Sequence, residues 1–530
     1  MRHARLCALP QDDGRHFRLT WPKETRLRGW AERTPTQNRW KSARHFKAIF
    51  WAVAMCASVV VSCPGSANAQ EQKIGAPPEA VNMRLVGYND LQGRSAYQPT
   101  IHHQGNRYIA YIGHHGGTPE VPKPMNSLTG QPEFNGTSIV DVTDPAHPRF
   151  LAHIPGTPGN YEEGGSQMTR VCDGKNLPKG DPSKTYLLRV FGGKSHQIFD
   201  VSDPAKPQLV WERQGELKDT HKSWWECDTG IGYLVSGVPG WRVNRMTEIY
   251  DMSDPAHPVK IRDFGLPGQE PASTGPVPEQ LHGMISLGVQ ANRVYFGYGT
   301  NKGGAMQIVD RQKLLNGPKE PTPENLRYPE VGRLTMTPWN GAHTTFPMLK
   351  MPIAEFAKDS EGSQRDIVMI VDEQIRNECQ EPRQMAWFVD VTIEAHPMVI
   401  SNFQVPEASG NFCSRGGRFG THASNESMAP VFYKKVAFLS YFNAGVRAVD
   451  IRDPYHPKEV GYFIPAITSA TDKRCVKVSG HDQCKTAIQT NNVETDDRGY
   501  IYIVDRANTG MHILELAGDA RGIAGLQYQD

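Results

Sequence analysis

From about residue 80 onward the apolar residues come in short runs bounded by Gly, Pro, Asn and Asp, a pattern of many short strands rather than helices. One unit recurs: an apolar strand ending in Asp, a Pro-rich turn, then another strand. It reads SIVDVTDPAHPRFLAHI at 138–154, QIFDVSDPAKPQLVWER at 197–213 and EIYDMSDPAHPVKIRDF at 248–264. Weaker copies are AWFVDVTIEAHPMVISNF at 386–403 and RAVDIRDPYHPKEVGYF at 447–463, and MQIVDRQKLL at 306–315 keeps the strand but loses the turn. The marking residues are Asp141, Asp200, Asp251, Asp310, Asp390 and Asp450. In this turn the Asp side chain can close onto the following amides and Pro fixes φ. A second Pro then launches the next strand extended.

Two further strands are expected between repeats, as in NRYIAYIG at 106–113, KTYLLRVFG at 184–192 and NRVYFGYG at 292–299. A period near 60 built from four strands predicts a propeller. The last unit, ending at GMHILELAG (510–518), lacks an outer strand, whereas NMRLVGYNDLQG (82–93) is a strand without a unit. The expectation is an all-β, seven-bladed β-propeller over 81–520 in which the N-terminal strand completes the last blade and removes a free edge. A short linker at 70–80 and a tail at 521–530 flank it.

The strand-Asp-x-x-Asp-Pro-x-x-Pro unit resembles the LVIVD-repeat family of exported bacterial propellers, and the resemblance covers nearly the whole chain after the leader. It implies the fold and export but no particular reaction. In layout and His placement the chain is more distantly similar to the selenium-binding-protein and methanethiol-oxidase propellers, whose central histidines imply a metal.

Charge changes the picture only once the chain is divided. The whole carries 58 Lys+Arg and 56 Asp+Glu, but residues 1–69 hold 12 of the former and 4 of the latter. The remainder is mildly acidic, which argues against a nucleic-acid partner. Lys41, Arg44 and Lys47 precede an apolar stretch over 48–62 and Ala67-Asn68-Ala69, the layout of a secretory signal behind an over-long basic extension. Cys63 offers an alternative lipid-anchor site. No later run is long enough to span a membrane. A periplasmic or secreted monomer is therefore expected. Export makes the six later cysteines disulfide candidates, Cys475 with Cys484 first, while the pairing of Cys172, Cys227, Cys379 and Cys413 stays open.

Loops feeding the innermost strands line one mouth of a propeller's channel, where ligands are expected. His282, His343 and His422 take nearly the same position in three consecutive blades, and His221, Trp224 and Glu226 fall in the corresponding stretch of the third. Converging imidazoles suit copper, iron or zinc, with His102, His103 or His221 as further ligand candidates. Glu226, Glu426 and Glu494 are candidate acceptors for the outer ring nitrogens. The competing expectation is that these histidines hydrogen-bond across a water-filled channel.

Rim residues Arg242, Arg447, Arg506, Asn443 and Asn492, with Trp224, suit a small polar or anionic ligand in the channel. For Arg447 and Arg506 the competing role is pairing with carboxylates between blades. Asp372-Glu373 falls on the same rim. His114-His115 reads as a solvated turn, and His147, His257, His396 and His456 as structural parts of the repeat. There is no GxSxG, Walker, HExxH or CxxCH motif. The expected function is a metal-dependent oxidoreductase. The alternatives are an envelope binding or interaction propeller, and a calcium-dependent lactonase-like hydrolase drawing on Glu226, Glu426, Asn492 and Glu494.

Overall fold

The computed structural model describes residues 72–353 and 364–526. The leader expected at 1–69, with Cys63, lies outside the described residues, as do residues 527–530 of the tail.

Seven four-stranded antiparallel sheets follow one another around a ring. The first runs from Ala96–Gln104 through Arg107–His114 and Thr137–Asp141 to Arg149–Ile154. The next four begin at Thr169–Asp173, Trp224–Trp225, Leu281–Ser286 and Thr344–Pro352. In the sixth, Val436–Ser440, Val446–Asp450 and Lys458–Ile464 are regular strands. Its innermost segment is held to them by amides, among them His422 N–H to the Ser440 carbonyl at 3.0 Å. The seventh comprises Thr490–Thr495, Ile501–Asp505 and Met511–Leu516, and its outer strand is the N-terminal Met83–Asn89. The seven-bladed closure expected from the missing outer strand is thus the observed one.

The flanks are more engaged than a linker and a tail. Glu79–Val81 pairs with Lys458–Ile464 as an extra edge strand on the sixth blade. At the other end the helix Ala520–Ala524 sinks Ala520 and Ala524 into the interface of the sixth and seventh blades.

Each pair of neighbouring blades encloses an apolar cluster, and the first and second share a further small one of Tyr97, Met168 and Val190. The closing one sets Tyr502, Val504, Met511 and Ile513 of the last blade against Ala110, Ile112 and Val140 of the first. Strand alternation produces this directly, because each sheet presents apolar side chains to both neighbours.

The repeated Asp does what its chemistry predicts. Oδ1 of Asp141, Asp200, Asp251, Asp390 and Asp450 accepts from the amide two residues on, at 2.8–3.1 Å. Asp310, whose repeat lost the turn, instead caps a short helix through the Lys313 amide (2.9 Å). His147, His257 and His456 each bond the second Asp of the turn, at 2.9–3.1 Å, in the structural role expected. A bulge recurs between the third and fourth strands of all seven blades, where the extra residue sharpens the twist.

Three disulfides are formed. Cys475–Cys484 clips a hairpin, Lys473–Val478 with His481–Thr486. Cys172–Cys227 ties the second blade to the third, and Cys379–Cys413 joins the loop between the second and third strands of the fifth blade to the connection leading into the sixth. Among the described residues no helix is long and apolar enough to cross a membrane.

Candidate functional site

Because every inner strand starts at the same mouth, residues just ahead of it or at its first turn are delivered to the axis. The amides of His221, His343 and His422 bond the second strand of their own blades in one pattern, to Val235, Val371 and Ser440, each at 3.0 Å. With His282 they form a chain of rings. Centroids are 4.6 Å apart for His221–His282, 3.7 Å for His282–His343 and 4.5 Å for His343–His422. All four are buried.

The protonation pattern can be read from partners. His282 Nδ1 lies 3.0 Å from the His343 carbonyl, and His422 Nδ1 lies 2.7 Å from the Asn491 carbonyl. A carbonyl only accepts, so each neutral ring carries its proton on Nδ1 and keeps a lone pair on Nε2. His343 Nδ1 meets the Thr344 hydroxyl at 3.0 Å. Nε2 of His343 and of His422 has no hydrogen-bond partner although buried.

Burial, then the charge of Arg245, holds His221 and His282 well below the ordinary imidazole range. Burial does the same for His343, helped by His282 and His422, and for His422, helped by Arg506. The rings are therefore neutral at pH 7, as ligation requires.

Glu373 closes the arrangement from the loop after Gln364–Val371. Its carboxylate stands 3.9 Å from His343 Nε2 and 3.6 Å from His422 Nε2. One donor atom each from His282, His343 and Glu373 lies within 4.8 Å of the others. Burial raises the Glu373 carboxyl above its usual range against the pull of Arg418, which bonds it at 2.9 Å, and of Arg506. Tyr97 adds a hydroxyl 3.2 Å from His221 Nε2.

The structure gathers His221, His282, His343 and His422 and leaves His102 and His103 elsewhere. Those two end the same strand that Tyr97 begins: His102 bonds Asp173 at 2.8 Å and His103 stacks on Tyr108. None of the three expected acceptors serves an outer ring nitrogen. Glu226 is held by Arg311 (2.6 Å), Tyr233 and Ser286, and Glu426 by Lys222 and Arg170. Glu494 accepts from the amides of Glu426 and Ser427. Backbone carbonyls take that role instead, and the carboxylates a calcium site would draw on are committed to other partners.

On the rim, Arg506 reaches the cluster through His115 (3.0 Å) and Glu162 (3.1 Å). Arg242 holds the Gly268 and Gly275 carbonyls, and Arg447 the Ala444 carbonyl and Glu459. Asn443 binds the Phe412 and Gly416 carbonyls. Trp224 lies under the Arg170 guanidinium, and Asn492 is buried against Gln98. His114 and His115 are buried rather than solvated, because the loop at 158–165 folds over them and His114 bonds Ser95 and Ser138.

No family model and no curated protein matches the chain. Among solved structures it is similar to Sqt1 from Chaetomium thermophilum, at 10% identity over 83% of this chain and 99% of that one, with a TM-score of 0.46. It is also similar to the Cps50 (Swd1) β-propeller domain from Myceliophteria thermophila, at 10% identity over 83% and 99%, with a TM-score of 0.41. A third is U3-55K, at 8% identity over 83% and 100%, with a TM-score of 0.46. At such identity the likeness extends to the fold alone. The chain is a seven-bladed β-propeller with a buried His–Glu cluster at its axis.

Proposed function

We propose that this propeller is an exported protein that holds one transition-metal ion at its axis and uses it as a metal-dependent oxidoreductase on a small polar or anionic molecule. The observation that carries the reading is the pair of unpartnered, buried Nε2 atoms on His343 and His422, that of His422 bearing a lone pair, which face one carboxylate. In His282 and His422 the opposite ring nitrogen is anchored to a backbone carbonyl, the arrangement by which proteins orient ligating imidazoles. Two imidazoles and one carboxylate, with further imidazoles beside them, suit iron or zinc and accommodate copper. His282, His343 and Glu373 would hold the ion, which would supply a redox or Lewis-acid centre. His221, His422 and Tyr97 would shape its open side. Three disulfides favour an oxidising compartment, in line with the leader and with the LVIVD-repeat resemblance.

A second reading, a non-catalytic binding or interaction propeller, is favoured by the ion pairing at the mouth. Arg418 and Arg506 already neutralise Glu373 and Glu162, so the cluster can stand without an ion. Metal analysis of mature protein prepared from a periplasm without chelator or His-tag separates the two. About one metal per chain is expected, lost in His282→Ala/His343→Ala and kept in His102→Ala. No stoichiometric metal, even after reconstitution, would leave the binding module.

A further inference from the structure

Beside the axial cluster lies a cavity of about 470 Å³ whose lining includes Gln167, Lys194, Lys218, Thr220 and Arg245. That volume is in the range of small-molecule sites. Three of its lining side chains carry polar atoms that are buried and unpartnered: Gln167 Oε1, Thr220 Oγ1 and Arg245 Nε. Buried polar groups are nearly always satisfied, so three orphans around one cavity point to a ligand that satisfies them.

Arg245 is the informative one. The other arginines near the imidazoles, Arg418 and Arg506, are paired with Glu373 and Glu162, whereas Arg245 has no carboxylate partner among the described residues. It lies on the loop between Ile231–Ser236 and Met246–Asp251 of the third blade and lines the cavity together with Thr220, the residue before His221. Gln167 is oriented by its Nε2, which donates to the Glu162 carbonyl at 2.9 Å, and its amide oxygen is without a partner. The cavity thus offers a cation for an anion and an acceptor for a hydroxyl, with the Thr220 hydroxyl able to serve either. On its rim Lys194 and Lys218 are matched by Glu163 and Asp219, and Glu162, which also lines the cavity, is paired with Arg506, so Arg245 is the cation left without a carboxylate. A single negative charge fits that balance better than a phosphate dianion.

We infer that this cavity binds a small hydroxycarboxylate, its carboxylate on Arg245 and a hydroxyl donating to Gln167. The assignment rests on the proposed function only in making this ligand the substrate of the axial centre; the binding itself needs no metal.

The test is calorimetric titration of the full mature protein with D-gluconate, with D-sorbitol and propionate as probes lacking the carboxylate or the hydroxyls. Arg245→Gln, Arg245→Lys and Thr220→Val are titrated alongside, with metal content and unfolding midpoint measured on every sample. Gluconate is expected to bind about tenfold or more tighter than either control. Arg245→Gln should lose that margin with metal content and midpoint unchanged, and Arg245→Lys should keep part of it. Equal binding of gluconate and sorbitol, no gluconate binding, or an unaltered affinity in a folded Arg245→Gln protein overturns the assignment. Metal-free protein that still binds gluconate sustains the cavity and removes the axial metal. Metal-loaded protein that ignores gluconate does the reverse.

Discussion

Glu426 is a buried carboxylate whose removal has a calculable consequence. It meets Lys222 and Arg170 within the channel, and the side chains of Glu426 and Lys222 are only 1% and 2% exposed. Burial alone would raise its carboxyl. The charges of Lys222 and Arg170 overcome burial and hold it at about 2, against 4.5 for the free group. The lowered value means that the carboxylate adds stability above pH 4.5, and that this is lost as pH falls from there through 2. The difference corresponds to about 3 kcal/mol at pH 7, and to about half of that or less at pH 3.

Glu426→Gln should therefore lower stability at pH 7 by about 3–5 kcal/mol, the range for a buried cation left without its partner. The gap to wild type should shrink toward pH 3. Adding Lys222→Met should recover at least half of the loss, because the stranded charge is then gone. Urea unfolding followed by Trp fluorescence, at pH 7, 5 and 3 for all three proteins, measures this. A Gln variant as stable as wild type at pH 7, or a gap that ignores pH, would refute the reasoning.

Two further outcomes follow from the same physics. Glu494, raised to about 7 by burial and by the charge of Glu426, must shed a proton in the folded state only at higher pH than when unfolded. Its contribution is thus fully present below 4.5 and fades as pH rises through about 7, so the advantage of wild type over Glu494→Gln should fall by about 3 kcal/mol between pH 4.5 and 8; a flat difference contradicts it. Cys172 and Cys227 are 55 residues apart and join neighbouring blades, so replacing both by Ser should cost about 4 kcal/mol by chain entropy, read as an earlier denaturant midpoint of the variant under oxidising conditions; an unchanged midpoint contradicts it.

The fold was legible because its signals are local. The repeated Asp acts on an amide two residues away, and the unmatched strands at 82–93 and 510–518 announce each other. The axial histidines were legible for the same reason, since a position ahead of an inner strand means the same place in every blade. His102 and His103 failed that logic by distance: five residues of strand from Tyr97 carry His102 about 17 Å down the channel. Glu373 was visible on the rim but not as a partner of the rings, because it follows a second strand rather than preceding a first. Tyr97 has no tyrosine at the matching place of the other blades, so no repetition singled it out. Arg242 turns to carbonyls of the connection to the fourth blade, Arg447 to the nearby Ala444 carbonyl, and Glu226 to Arg311 of the next blade, contacts that only the assembled ring decides.

The central claim is that imidazoles at the axis share one ion with Glu373. X-ray absorption at the metal edge of the mature protein tests it most directly. Two or more imidazole nitrogens and a carboxylate oxygen at about 2.0–2.2 Å are predicted, with loss of an imidazole contribution in His343→Ala. A spectrum free of imidazole scattering, or one that His343→Ala leaves unchanged, would contradict the account.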